Sequence, residues 1–500
     1  MKNPTICLTE YNNHYLSSPS GPYHLYLPPA ILYLIEREQY TGSLKKYNYI
    51  FDDHEFSQED INYYYSKYLF LKKNGLLKSN KEPGKSKLSC SADENNIKWR
   101  IANLSNLVFE VTENCNLSCK YCGYGEYYNS YETRNKNNMS FKTAKAAIDF
   151  LKNLWRSELN HSPQRTITFG FYGGEPLLNI DLIKRIVEYI ETSLDLKSKI
   201  KFNLTTNGTL LNKHMDYLVR KKFGLLISLD GNESNHSYRV THSGSNSFKK
   251  VNENINLLRD KYPEYFDTNC NFNAVLHNRN SVNDIFTFIN NEFGKIPFIS
   301  EVSSSGIDPN MWDEYNKIYK NCIQDIYQSE NYVELASKIE LANPDFKSAV
   351  MFLYQYSGNF FRKYLELIQA EKTKKFLPTA TCFPFERKMF ITATGKILPC
   401  ERIDHKFYLG EIKSNKVELN FEGISLKYNC FYKKMRKNCS KCYDYRFCRK
   451  CFFQLKDLEL EPICDNFKDH KEFDKYIGHC ISFFEKNPEV FEKAINVIVE

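Results

Sequence analysis

The chain has no apolar run approaching the roughly 18 residues needed to span a bilayer, so a membrane-spanning protein is excluded. It has no block of like charge. Its 68 Lys+Arg against 60 Asp+Glu leave +8 on 500 residues, which gives no nucleic-acid footprint. Glycine (20) and proline (17) are too sparse for a collagen-like or disordered chain, and 15% aromatic residues argue for packed cores. No internal repeat or low-complexity tract is present. The start, Met1-Lys2-Asn3-Pro4-Thr5-Ile6-Cys7, lacks an apolar signal core, so the expected location is the cytoplasm. At about 150 residues per domain, the length allows about three domains.

What the chain does have is cysteine, 16 in all. In a reducing compartment clustered thiols point to metal rather than to disulfides. Cys115, Cys119 and Cys122 form one tight group, and nine more, from Cys382 to Cys480, fall in the last quarter; Cys7, Cys90, Cys270 and Cys322 are scattered.

Along the chain, 6–16 reads as a hairpin turning at Asn12-Asn13, followed by helices opening at Pro28-Pro29 and running from Ser57 to Leu71, the second closed by Gly75. This is a small winged-helix-like pattern. The polar stretch 78–96 reads as a linker. Strands are then predicted at 107–111, 166–171, 201–205, 225–229, 271–276 and 298–302. They alternate with helices such as the one capped by Ser140 and the one carrying Leu182, Ile183, Ile186, Val187 and Ile190. Six such units predict a parallel α/β sheet or barrel, with chemistry at the carboxyl ends of its strands. The expected division is 1–95, 96–305, a helical insertion 306–375, and a cysteine-rich 376–500.

Cys115-X3-Cys119-X2-Cys122 directly follows the first of these strands. Three thiolates on one loop can hold three irons of a [4Fe–4S] cube and leave the fourth open, whereas a zinc site wants four local ligands. Further motifs end the next strands in order: Gly173-Gly174-Glu175-Pro176, Thr205-Thr206-Asn207-Gly208, and Ser228-Leu229-Asp230-Gly231 with Arg239 beyond. Singly, each of these is more often a turn or a solvated charge. In the tail, Cys382-X12-Gly395-X4-Cys400 is followed by Cys439-X2-Cys442-X5-Cys448-X2-Cys451 and then Cys464. Zinc ribbons also use such pairs.

Together these motifs resemble the radical S-adenosylmethionine (SAM) enzymes. The resemblance implies a partial (β/α)6 barrel, a [4Fe–4S] cluster on Cys115, Cys119 and Cys122, and S-adenosylmethionine on its open iron. Cofactor contacts are implied for Gly173, Gly174, Glu175, Thr206, Asn207, Ser228, Asp230 and Arg239. Of these, Glu175 would face the methionine ammonium, Ser228 the ribose and Arg239 the carboxylate. The tail is similar to the SPASM extension of peptide-modifying members, which implies two auxiliary [4Fe–4S] clusters. One would take Cys439, Cys442, Cys448 and Cys464. The other would take Cys382, Cys400 and Cys451, its fourth ligand left among Cys430, Cys480 or an open iron.

Two departures from the pattern are visible. Two residues rather than three separate Cys448 from Cys451, and Phe376 stands where sulfatase-maturing relatives have a cysteine. Glu401, beside Cys400, is a candidate general base, with a salt bridge as the plainer reading. His236 and His405 read as core or surface histidines. The N-terminal module resembles the leader-recognition element of peptide maturases, which binds a strand at its sheet edge. The implied function is maturation of a ribosomally made precursor peptide by hydrogen abstraction, with an oxidative thioether or carbon–carbon cross-link as the product. The implied partners are that peptide and a low-potential donor such as ferredoxin or flavodoxin, without nucleic acid or membrane. The alternatives are anaerobic sulfatase maturation and a non-enzymatic zinc-binding interaction protein.

Overall fold

The computed structural model describes residues 6–17, 24–41, 58–77, 88–89, 91–128, 136–194, 198–303, 306–329, 352–353, 377–446, 448, 450–455, 457–464 and 466–489. Cys90, Phe376, residues 78–87 of the expected linker and most of the expected 306–375 insertion lie outside them.

Two sheets organise the chain. The first is a three-stranded antiparallel meander of β1 (Ile6–Leu8), β2 (His14–Ser17) and β3 (His24–Leu27). The expected hairpin is its first half, registered Cys7 to Tyr15, with Asn12 at φ 61° in the turn. The third strand has no sequence counterpart, because four residues just before Pro28-Pro29 are too short to show alternation. Helices α1 (Pro29–Thr41) and α2 (Gln58–Lys73) close a small core of Leu16, Leu27, Ile31, Leu34, Tyr68 and Leu71. Gly75, at φ 71°, ends α2 as expected: Leu76 N–H reaches back to the Leu71 carbonyl at 3.0 Å.

Helix α3 (Glu94–Ala102) begins inside the stretch expected to be linker. Asp93 caps it by accepting the Asn96 N–H at 2.8 Å, and Ile97 and Ile101 are fully buried. Its apolar residues lie just past the polar run that defined the linker.

The second sheet has ten strands. Its parallel half is β4 (Asn106–Thr112), β5 (Thr166–Gly173), β6 (Lys199–Thr206), β7 (Gly224–Ser228), β8 (Cys270–Leu276) and β9 (Phe298–Glu301), neighbouring in chain order. These six are the predicted strands. Helix α4 (Phe141–Trp155) is capped by Ser140 on the Thr143 N–H at 3.0 Å, and α5 (Ile180–Ser193) buries the predicted stripe Leu182, Ile183, Ile186, Val187 and Ile190. Each lays its apolar stripe toward one continuous core.

The tail joins the same sheet. β10 (Met389–Ile391) runs parallel to β4, pairing Phe390 with Val108, and β11 (Lys396–Leu398), β12 (Gly410–Lys413) and β13 (Lys416–Leu419) follow antiparallel. The predicted Gly395 hairpin is the β10–β11 turn, where φ 92° favours glycine. The sheet runs from β13 to β9 as an open array. Helices α6 (Leu211–Arg220), α7 (Phe248–Lys261), α8 (Pro263–Asn269) and α9 (Val282–Phe293) join the later parallel strands; between β9 and β10 the described residues form only short helices, among them α10 (Trp312–Ile318) and α11 (Cys322–Tyr327), and two longer helices follow β13, α12 (Phe421–Cys439) and α13 (His470–Lys486). No helix among the described residues is long and apolar enough to cross a membrane.

The N-terminal module sits on α13. A Cβ on Gly478 would lie 2.3 Å from the Leu8 carbonyl, Glu10 N–H donates to Ser482 Oγ at 2.8 Å, and Cys7 packs with Ile477, Cys480 and Ile481.

Candidate active site

The carboxyl ends of β4–β7 converge on one rim, and the loop after β4 carries the first cysteines. That loop is fastened from beyond β7: Ser118 N–H donates to the Val240 carbonyl at 2.7 Å and Lys120 N–H to the Tyr238 carbonyl at 3.1 Å. Cys115, Cys119 and Cys122 line a cavity of about 790 Å3, together with Gly173, Gly174, Thr206, Asn207, Ser228 and Arg239. The expected residues from four strand ends therefore face one space. Burial pushes the Cys119 thiol up to about 12, so metal binding there would release a proton.

The two glycines are explained by backbone crowding. A Cβ on Gly173 would lie 2.2 Å from the Thr112 carbonyl, and one on Gly174 2.1 Å from that of Asn114. The β5 turn passes directly beneath the cysteine loop, bonded through Gly174 N–H to Thr112 O at 2.9 Å and Glu175 N–H to Asn114 O at 2.7 Å. Gly174→Ala should therefore force the two loops apart. The expected cost is about 3 kcal/mol or more, read by urea unfolding, with loss of iron bound at the first site. Unchanged unfolding would show that the loops are free to separate.

Two of the expected contact residues are acids that lie behind the cavity lining. Glu175 does not face the cavity. Its carboxylate is fully buried and accepts from Leu177 N–H (3.1 Å), Thr206 Oγ1 (2.8 Å) and Asn207 N–H (2.7 Å), tying the β5 turn to the β6 turn. Burial raises its pKa to about 7 against these bonds. Asp230 is also fully buried and lies behind the lining: Arg239 Nε and Nη2 clasp its two oxygens at 3.0 Å each, Val275 N–H donates at 3.0 Å, and the Tyr121 hydroxyl completes the set. Arg239 thus reaches the cavity with its orientation set from behind. Both placements have one cause: an acid at a strand end can point to the rim or back into the turn, and only the packing chooses.

His236 is a core histidine, as expected. It lies between Asp230 N–H (3.3 Å) and Ser247 Oγ (3.1 Å), and burial lowers its pKa to about 3, so it is neutral. His405 is buried against the rings of Tyr124 and Phe390.

The tail also contributes to this cavity. Glu401 is one of its lining residues and is held by Lys388 Nζ at 3.0 Å to both oxygens. Burial would raise its pKa, but the Lys388 charge and bonds hold it below the usual value. Glu401 is thus an ion-paired residue that also faces the cavity. Elsewhere in the tail, Cys439, Cys442, Cys448 and Cys464 line a second, small cavity. Cys382, Cys400 and Cys451 lie around the buried phenol of Tyr428 and, after burial itself and Tyr432, contribute to its raised pKa. The Cys382 and Cys451 segments are joined by Ala380 N–H to Lys450 O (2.9 Å) and Phe452 N–H to Thr381 Oγ1 (2.8 Å). Of the candidate fourth ligands, Cys430 is exposed on α12 and Cys480 packs beneath β1 with Cys7.

Residues 109–290 match the radical SAM superfamily model. That stretch, about a third of the chain, is a radical SAM domain. Members of that superfamily are enzymes, and the family implies S-adenosylmethionine and a [4Fe–4S] cluster. Among relatives, the radical SAM cyclopropyl synthase TigE of Paramaledivibacter caminithermalis is 27% identical over 216 residues, 41% of this chain and 42% of its own length. The chain thus spans less than half of that relative. The cysteine-type anaerobic sulfatase-maturating enzyme of Clostridium perfringens is 25% identical over 393 residues, 74% of this chain and 96% of its own. The structure of native anSMEcpe with bound AdoMet and Cp18Cys peptide shares the fold, with TM-score 0.51 at 21% identity, covering 79% of this chain and 99% of that one.

The donor set fits the radical SAM cofactors. Three sulfur ligands border a volume rather than a point, and among the described residues no three Cys, His, Asp or Glu side chains converge tightly enough for a single metal ion. An iron–sulfur cube needs such a volume. The Asn207 amide lies 3.9 Å from Cys115 Sγ and donates to Asn116 Oδ1 at 2.9 Å, holding the first thiol's turn.

Several neighbours in this radical SAM site carry no sequence signal of their own. His242 lines the cavity and bonds the Cys115 carbonyl at 2.9 Å and Ser118 Oγ at 2.8 Å. Lys388 is one of many lysines until the fold sets it on Glu401. Glu110 was not singled out either, although an acid inside an apolar strand is a signal that could have found it. It is fully buried and accepts from the Tyr124 hydroxyl at 2.7 Å and Ala393 N–H at 3.0 Å, so it binds the cysteine loop to the tail.

Proposed function

We propose that this radical SAM protein is a maturase of a ribosomally made peptide, carrying two auxiliary [4Fe–4S] clusters and forming an oxidative cross-link, a thioether or a carbon–carbon bond. The observation that carries the reading is Glu401: a carboxylate from the cysteine-rich tail lines the same cavity as the three-thiol loop. The similarity to a sulfatase-maturating enzyme supports modification of a peptide or protein.

When bound, the cluster and S-adenosylmethionine supply a 5′-deoxyadenosyl radical. This chain's residues do the rest. Cys115, Cys119 and Cys122 hold the cluster; Arg239 offers a cation, Ser228 a hydroxyl and Asn207 an amide for binding the nucleotide. The Glu401 carboxylate, ionised beside Lys388, takes the proton that must leave the substrate after hydrogen abstraction. Cys439, Cys442, Cys448 and Cys464 would hold one auxiliary cluster and Cys382, Cys400 and Cys451 another, and such clusters would supply an acceptor for the second electron. The peptide then loses two hydrogens in all. A low-potential donor such as ferredoxin or flavodoxin supplies electrons.

The meander is the leader-binding element in this reading. β3 pairs with β2 on one side, and Leu25 and Tyr26 on it are 41% and 46% exposed, as an edge strand open to a peptide would be. Leu25→Asp should lower peptide modification at least tenfold while 5′-deoxyadenosine formation is retained. Equal loss of both would remove the recognition role. A point variant is preferable to deleting residues 1–80, because β1 covers Ile477 and Ile481 of α13.

Co-expression with a candidate precursor peptide followed by mass spectrometry tests the reaction. A loss of two hydrogens is expected. No mass change together with inversion at one residue would favour epimerisation. Conversion of a sulfatase peptide to an aldehyde would favour sulfatase maturation, the second reading, supported by coverage of 96% of the C. perfringens enzyme. Zinc in place of iron would favour the interaction-protein alternative.

A further inference from the structure

The N-terminal module has a core of its own, and β1 fastens it to α13. The contact is close at Gly478, where a Cβ would lie 2.3 Å from the Leu8 carbonyl. Glycine inside a helix costs stability relative to alanine, so α13 has no need of Gly478 on its own account; the docked strand explains it. Polar bonds flank the contact. Glu10 N–H donates to Ser482 Oγ at 2.8 Å, and Glu485 accepts from Asn13 Nδ2 at 2.9 Å and from the Tyr15 hydroxyl at 3.0 Å. His24, which opens β3, stacks on Phe352 at 5.0 Å, and Phe352 packs against Phe484 of α13.

Helix α13 is pinned in turn to the cysteine-rich tail. Asp469 accepts the Glu472 N–H at 2.9 Å and Glu472 accepts the Asp469 N–H at 3.0 Å, which closes the first turn reciprocally. Just before it, Lys468 donates its N–H to Cys442 Sγ at 3.5 Å and accepts the Tyr443 N–H at 3.0 Å. Phe473 and Ile477 are fully buried in one cluster with Tyr443 and Cys7. The tail shares its sheet with the parallel strands through β10 on β4. Packed contacts thus run without a break from the meander to the strands that carry the thiol cavity, and they hold the meander at one distance from it.

A peptide held at the β3 edge and reacting in the cavity is a tether between two fixed points. Its effective concentration at the cavity is near zero while it is too short to span them, and falls only slowly once it is longer than the span. We propose that the docking on α13 sets a minimum spacing in the substrate: the modified residue must lie at least a fixed number of positions beyond the leader strand. Gly478, Ser482 and Glu485 are then specificity-determining residues that act through the position of the module and touch neither peptide nor cofactor. The inference rests on the reading of the meander as the leader-binding element.

The test uses the full-length, reconstituted chain and the precursor peptide that loses two hydrogens on co-expression, with its spacer shortened one residue at a time. Each residue removed takes away up to about 3.5 Å of reach. Modification by the unmodified chain should hold and then fall at least tenfold within about two residues, while a spacer lengthened by about four residues should stay within about twofold. Gly478→Ala, which by itself favours the helix, should loosen β1. Amide exchange in the first hairpin should rise, dithionite-driven 5′-deoxyadenosine formation without peptide should stay unchanged, and the cut-off should move to shorter spacers. Ser482→Ala with Glu485→Ala should shift it the same way without a clash. A gradual decline with no cut-off in the unmodified chain would overturn the proposal. So would an unmoved cut-off in variants whose hairpin exchange has risen, or unchanged exchange in both variants, since the docking would then not hold the module. Full modification by Leu25→Asp would instead sink the leader-binding reading, and the absence of any modified precursor the maturase reading, so the failures are separable.

Discussion

Cys119→Ala should abolish 5′-deoxyadenosine formation, with a fall of more than about a hundredfold, because losing even an outer-shell partner of a metal site commonly costs 10–100-fold. Cys119 sits between Cys115 and Cys122 on a loop pinned by backbone bonds at Ser118 and Lys120. Among the described residues, Cys270, the next cysteine after Cys122, is buried in the sheet core and Cys115 and Cys122 are already ligands of the same loop. The loop's anchors do not involve the Cys119 side chain, so the variant should fold with its far-ultraviolet spectrum unchanged. The assay is chromatography of the nucleoside after anaerobic reconstitution and dithionite reduction, alongside iron per chain and absorbance near 400 nm. Cofactor cleavage at the unmodified rate would refute the assignment of the cysteine loop.

Asp230→Ala should be strongly destabilising, by about 3–5 kcal/mol, the usual cost of leaving one partner of a buried ion pair uncompensated. Arg239 is 7% exposed and gives both ends of its guanidinium to Asp230. The substitution would also leave the Val275 N–H and the Tyr121 hydroxyl without their acceptor. Asp230→Asn, which keeps a neutral acceptor, should cost less.

The pH dependence has a definite sign. Burial would push the Asp230 carboxyl up, but the Arg239 charge, with the His277 and Arg239 bonds, outweighs it and holds the group well below the ordinary carboxylate range. A depressed pKa means stabilisation that is fully present above the unfolded value of about 3.9 and lost as the pH falls below it. Urea unfolding of the unmodified chain and of Asp230→Ala should therefore differ by a constant amount from pH 5 to 8 and converge only in acid. A gap that closed near neutrality would mean that another group carries the effect.

The parallel strands and the helices between them were legible because each is a separate local signal. Examples are the apolar stripe of α5, the Ser140 cap and the Gly395 turn. The cysteine loop was legible because spacing within one loop survives any packing. Three features were not. β3 is too short to alternate. α3 has its cap and its buried face on opposite sides of a polar stretch. The pairing of β10 with β4 joins residues about 280 positions apart, with nothing in either segment naming the other.

The amino-acid order alone therefore determined which chemistry this protein carries: soft thiolate ligands in a trio and in a cysteine-rich tail, and polar motifs at successive strand ends. Spacing along a chain suffices for that, since ligands on one loop stay together however the rest folds. Only the tertiary structure decided what the charges do. Glu175 and Asp230 became buried braces, Arg239 was aimed from behind, and Glu401 was carried into the thiol cavity when the tail hairpin joined the parallel sheet. The direction of a side chain at a strand end is set by the desolvation cost and hydrogen bonds it finds there, and these exist only once the strands are packed.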